Sequence, residues 1–102
     1  MLQITVVNMS LRQTAVALSA GQSKLILPAN QRRGYLLIEN VGANDLTLGW
    51  DSAPVAGLGT TLSPGGLGSQ GGSLEFKTPG PVPTNAIYAI SASGSTIVAS
   101  EA

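Results

Sequence analysis

Cysteine and histidine are both missing from this chain of 102 residues. Without them there is no disulfide framework, no thiolate nucleophile and no imidazole base. Almost every zinc, copper or haem site goes with them, so neither a metal nor another cofactor is expected. Charge is scarce as well. Asp, Glu, Lys and Arg make up 10% of the chain and cancel to a formal net charge of +0, against about 25% charged residues in an average soluble domain. Near-zero net charge favours association, so the composition points to a chain that works in an assembly. Aromatics are 4%, too few for a stacking platform, so core packing is their expected use. No apolar run approaches the roughly 18 residues of a membrane span. The opening MLQITVVNMSLRQ lacks the basic region and the apolar length of a signal peptide. The expectation is a protein made in a cytoplasm, with no membrane partner, that reaches its place by assembly.

What is present is apolar residues at 43% and 13 glycines, enough in a chain of this length for one domain with its own core. The organising stretch is Lys24 to Trp50, KLILPANQRRGYLLIENVGANDLTLGW. Leu25 and Leu27 alternate with Lys24 and Ile26 until Pro28-Ala29-Asn30 stops the run. Tyr35-Leu36-Leu37-Ile38 is continuously apolar, which predicts a strand covered on both faces. Asn40 to Asp45 supplies turn chemistry. Leu46, Leu48 and Trp50 then point one way, with Thr47 and Gly49 the other.

The same period of two recurs along the chain. Leu2, Ile4 and Val6 alternate within residues 1–12, which read as a first strand or as an arm that adds a strand to a neighbouring subunit. Thr14, Val16 and Leu18 share one side of the next strand. Leu58, Thr60 and Leu62 suit a short edge strand, and Ser63-Pro64-Gly65-Gly66 a tight turn. Leu74 and Phe76 point inward between Glu75 and Lys77. Three prolines between Thr78 and Pro83 make an extended connection. Ile87 and Ala89 face opposite to Tyr88 and Ile90, and a last strand carries Ile97 and Val98. No helical periodicity and no 20-to-50-residue repeat intervene. These patterns predict an all-β fold, an antiparallel β-sandwich or jelly roll of about eight short strands over residues 13–102. The expected core is Leu36, Ile38, Leu48, Trp50, Phe76, Ile87 and Ile90.

Candidate chemical motifs resolve into structural roles. Gly66 to Gly71 matches G-x-G-x-x-G, but SLEFK follows it, a strand where a dinucleotide site needs a helix N-terminus. Ser69 has no histidine to activate it. Glu39 and Glu75 invite comparison with a glycosidase pair, yet two solvated strand glutamates account for them. Asn44, Asp45 and Asp51 offer oxygen ligands without the spacing of a calcium loop, so turn capping is preferred. No catalytic residue is expected, and the chain reads as a non-enzyme. Arg32-Arg33 is the one basic cluster and lacks an interleaved aromatic, so nucleic acid is not an expected partner. At the entry to an apolar strand, the pair suits bidentate bonds to carboxylates across a subunit contact. Plain solvation of a loop is the alternative. The candidate interface residues are therefore Leu2, Ile4, Val6, Arg32 and Arg33.

LILPANQRRGYLLIENVG, a Gly-rich PGG loop, SLEF and VPTNAIYAISASGSTIVA together resemble a set of small tailed-bacteriophage virion proteins. The Arg32–Ile38 and Pro83–Tyr88 strand entries carry most of the resemblance, which spans residues 13–102. It implies a capsid decoration (cement) protein in the virion, bound to the major capsid protein or another virion component. It also implies a homo-oligomer, with a trimer favoured because such modules often occupy three-fold positions. The alternative is a carbohydrate- or receptor-binding module of a tail or head fibre.

Overall fold

The computed structural model describes residues 11–64 and 72–102. Among them every regular element is a strand: β1 (Arg12–Leu18), β2 (Lys24–Leu27), β3 (Tyr35–Asn40), β4 (Leu46–Trp50), β5 (Thr60–Leu62), β6 (Ser73–Lys77), β7 (Ile87–Ile90) and β8 (Ser95–Glu101). They form two four-stranded sheets, in the orders β1-β8-β3-β6 and β2-β7-β4-β5. Every pairing is antiparallel. The pairs β1:β8, β2:β7, β3:β6 and β4:β5 are nested. The chain is thus one long hairpin, bent at the β4–β5 connection, whose successive strand pairs fall in alternate sheets. That order is the jelly roll. The β8:β3 and β7:β4 pairings then close each sheet.

The core follows from side-chain alternation. Leu36 and Ile38 of β3, Ile87 and Ala89 of β7, and Ile97 and Ala99 of β8 have no exposed area, and Leu18, Ile26, Leu27, Leu46, Leu48 and Leu62 join them. Each fully buried Leu or Ile contributes about 1.5–3 kcal/mol relative to solvent exposure. Trp50 and Phe76 pack against this cluster, their rings edge to face at 6.2 Å, the arrangement the ring quadrupoles favour.

Four expectations about facing change. β3 is covered on one face only: Leu36, Ile38 and Asn40 are buried, whereas Tyr35, Leu37 and Glu39 lie half-exposed on the outer side. The doubly covered strand is β4, in which Leu46, Thr47, Leu48 and Gly49 are all buried. Its outer side is roofed by residues 51–59. Gly57 N donates to Thr47 Oγ1 at 3.0 Å, and a Cβ on Gly49 would collide with Ser52 O and Pro54. Leu58, expected in an edge strand, is instead 72% exposed at the fourth position of a turn. Leu58 N donates to Val55 O at 3.0 Å, and Gly57 has a φ of +79°, where glycine carries no steric penalty. Ile90, expected in the core, lies on the outer face of β7 and lines a hollow of about 210 Å³ under this roof. In β2 a bulge between Leu25 and Leu27 breaks the alternation. Ile26 and Leu27 are both buried, and Leu25 is 49% exposed.

Candidate functional site

Two polar hubs flank β3. Arg33, just before it, is buried with a side-chain exposure of 0%. Its Nε donates to Glu101 Oε2 at 2.6 Å. Nη1 donates to the carbonyls of Pro83 and Asn85 at 2.8 and 2.9 Å, and Nη2 to that of Pro28 at 2.9 Å. One guanidinium thus ties the β2–β3 connection, the β6–β7 connection and the end of β8 together. Its planar fork of donors suits that task better than an ammonium would. Arg33 is therefore committed within the chain, and its expected place in a subunit contact is corrected by this burial. Arg32 is the exposed member of the pair.

At the other end of β3, Asn40 is 1% exposed. Its Nδ2 donates to Asn44 O and Leu62 O at 2.8 and 2.9 Å, and its Oδ1 accepts from Gly42 N and Ser95 Oγ at 3.1 and 2.7 Å. Two donors and two acceptor sites are all used, so the amide is buried without an unmade bond. Asp51 has a similar structural employment. Its φ is +63°, an uncommon value for a residue with a side chain. It is held there by Asp51 N donating to Ala86 O and by its carboxylate accepting from Ala86 N and Asn85 Nδ2. Asp45 and Asp51 lie at opposite ends of β4, so they do not converge on a common ion. Asn44 Nδ2 is bonded to Gly94 O at 2.7 Å.

Glu39 and Glu75 do share the outer face of β3 and β6, diagonally across the register in which Leu37 opposes Glu75 and Glu39 opposes Ser73. Glu75 accepts from the Tyr35 phenol at 2.8 Å and has Lys77 Nζ at 3.8 Å. The bond to Glu75, then partial desolvation and the charges of Glu75 and Glu39, raise the Tyr35 pKa above its ordinary value. Leu2, Ile4 and Val6 lie outside the described residues, as do Ser69 and the Gly66–Gly71 run.

What remains available for contact is sheet faces, edges and apolar tips. The β1-β8-β3-β6 sheet has an outer face with cross-strand rows Ala15–Val98–Glu39–Ser73 and Gln13–Ser100–Leu37–Glu75. Charge is confined to its β3–β6 half. The other sheet carries the turn that exposes Val55 at 62% and Leu58 at 72%. An open cleft of about 340 Å³ lies among Asn44, Asp45, Pro64 and Ser93. Sequence reasoning missed both: the cleft is assembled from loops distant in the chain, and the turn was hidden because Leu58 shares the alternation of Thr60 and Leu62.

The four sheet edges differ. β2 is short and bulged, β5 has three residues, and β6 presents Glu75 and Lys77 outward. Each is a known device for discouraging strand addition. β1 runs for seven residues, RQTAVAL, without a proline or a bulge. No protein-family model matches the chain, and neither a curated protein nor a solved structure matches it significantly.

Proposed function

We propose that this chain is a non-enzymatic structural protein of a tailed-phage particle, a decoration or cement module that binds the assembled shell as a homo-oligomer. The observation that carries the reading is where the polar chemistry goes. Arg33, Glu101 and Asn40 spend their bonding capacity inside the fold, and the exterior is left with small, weakly charged sheet surfaces and the apolar Val55–Leu58 turn. The resemblance of residues 13–102 to phage virion modules supports it, as does the use of jelly rolls in capsids, which is analogy at the level of fold.

The mechanism is mechanical. Burying about 400 Å² of apolar surface yields about 10 kcal/mol before the loss of translational and rotational freedom is counted, and that loss is about 4–15 kcal/mol. A single contact of this kind is marginal. An oligomer bridging several shell subunits binds tightly because every contact after the first is intramolecular, and the bridge slows separation of the subunits it spans. The partner is the major capsid protein or another virion protein. Co-sedimentation with emptied capsids tests the reading. The protein is expected to pellet with capsids, saturate at a fixed ratio and raise the temperature at which they open. Failure to bind shells of its own phage refutes it.

A second reading rests on the cleft of Asn44, Asp45 and Ser93, a loop-borne polar site of the kind that binds sugars. Signal on a glycan array, lost on Asp45→Ala, would favour a carbohydrate-binding fibre or tail module instead.

A further inference from the structure

The register of β8 determines which backbone groups of β1 are free. Val41 N donates to Thr96 O, and Ala102 exchanges bonds with Tyr35, so the even-numbered residues of β8 turn toward β3. The odd-numbered residues, Ser95 to Glu101, therefore turn toward β1, where their partners are Leu18, Val16, Thr14 and Arg12. Gln13, Ala15 and Ala17 are left with their N–H and C=O groups pointing away from the sheet. Lys24 confirms the direction, because its ammonium donates to Ala17 O at 3.2 Å. Among the described residues it is the only side chain that bonds this edge. The strand's own side chains are an arginine at its start, then a glutamine, a threonine, two alanines, a valine and a leucine.

Residues 1–10 precede this edge, with Leu2, Ile4 and Val6 alternating and no charged side chain among them. To fold back on their own β1 they would need a tight turn near Asn8-Met9-Ser10. The favoured two-residue hairpin loops call for Asn-Gly or Gly-X, neither of which occurs there, and of these three residues only Asn8 readily takes a positive φ. The chain has no glycine before Gly21 and no proline before Pro28. An extended run of ten residues instead reaches about 33 Å, enough to meet a neighbour.

From this we infer that the free edge of β1 is the docking site for the Leu2–Val6 segment of a second copy of this chain. The inference rests on the reading of the protein as an assembly module, and it names the edge and the segment through which copies join. Main-chain bonds at Gln13, Ala15 and Ala17 supply affinity, and the alternation of Leu2, Ile4 and Val6 sets register. Because the arm and the edge are different surfaces, the contact is heterologous and closes into a ring when the rotation allows.

Ala15→Pro removes an N–H that the domain itself does not use, at an edge position where proline is tolerated. Ile4→Asp spoils the arm and leaves the edge intact. Both are made in the full chain, with folding checked by circular dichroism and urea titration, and Gln13→Pro repeats the edge test should Ala15→Pro not fold. In sedimentation the parent chain is expected to self-associate, and each variant to do so about tenfold or more weakly. A mixture of the two is expected to associate again, since one brings a working arm and the other a working edge. An Ala15→Pro chain as oligomeric as the parent overturns the edge assignment while leaving self-association standing. A mixture that stays monomeric overturns exchange between copies. A monomeric parent overturns the inference altogether, with capsid co-sedimentation deciding the functional reading separately.

Discussion

Replacing Glu101 by glutamine leaves the Arg33 guanidinium buried with no counter-charge. The pair is well sealed, with side-chain exposures of 0% and 8% and an Nε–Oε2 distance of 2.6 Å. Removing one member of a buried ion pair typically destabilises by about 3–5 kcal/mol. Three main-chain carbonyls still accept from Nη1 and Nη2, and glutamine retains an acceptor oxygen, so the lower end, about 3 kcal/mol, is expected. With a urea m-value of about 1–3 kcal/mol/M, the midpoint falls by about 1–3 M. Arg33→Met is expected to be worse, since it strands the Glu101 carboxylate and the carbonyls of Pro28, Pro83 and Asn85 together. Arg33→Met combined with Glu101→Leu should recover part of the loss, because an apolar pair leaves no buried charge, and the double-mutant cycle reads the coupling directly. The pair should also respond little to added salt, being shielded from counter-ions. A Glu101→Gln midpoint equal to the parent's would refute the reasoning, by showing that the guanidinium is hydrated and the three connections are held by other contacts.

Further outcomes follow from the same geometry. Leu36→Ala should destabilise by about 2–5 kcal/mol, whereas Ile90→Ala, on the outer face, should lose about 1 kcal/mol or less; equal midpoint shifts in denaturant would contradict the assignment of faces. Asn40→Leu leaves the carbonyls of Asn44 and Leu62, Gly42 N and Ser95 Oγ without their partner, and should cost about 1–3 kcal/mol per group left unpaired, read by thermal unfolding. The Tyr35 phenol, raised above 10.0 chiefly by its bond to Glu75, should titrate lower in Glu75→Gln, as seen by ultraviolet absorbance. A raised folded-state pKa confers stability that is complete below the unfolded value and lost as pH rises through the folded one, so the Tyr35–Glu75 contact should weaken only on the alkaline side of pH 10.0.

The strands were legible in the sequence because each is a local pattern. A period of two with turn residues between runs marks β1, β3, β4, β6, β7 and β8 within a residue or two, and it marks Leu36, Ile38, Leu48 and Ile87 as core. The extent of β2 was legible too, but its facing was not, and β5 begins two residues later than its pattern suggested. A bulge shifts one alternation, and a turn at Val55–Leu58 takes Leu58 out of the other. Of the candidate contact residues, Arg32 is exposed, as a contact residue must be, and Arg33 is internal.

By itself, then, the sequence determined the class of fold, most of the inward side chains of the regular strands and the poverty of surface charge, because periodicity and composition are properties of neighbouring residues. Only the tertiary structure decided what Arg33 does, since its partner Glu101 lies 68 residues away and no local signal distinguishes a buried arginine from the exposed one beside it. Likewise it decided that β4 rather than β3 is covered on both faces. Tyr35, Leu37 and Glu39 look outward because, among the described residues, nothing folds over them. Thr47 and Gly49 are buried because the chain after Trp50 turns back across its own sheet, and glycine at position 49 allows that approach. A strand's own residues specify which way its side chains alternate, but what covers each face is set by where the rest of the chain comes to lie.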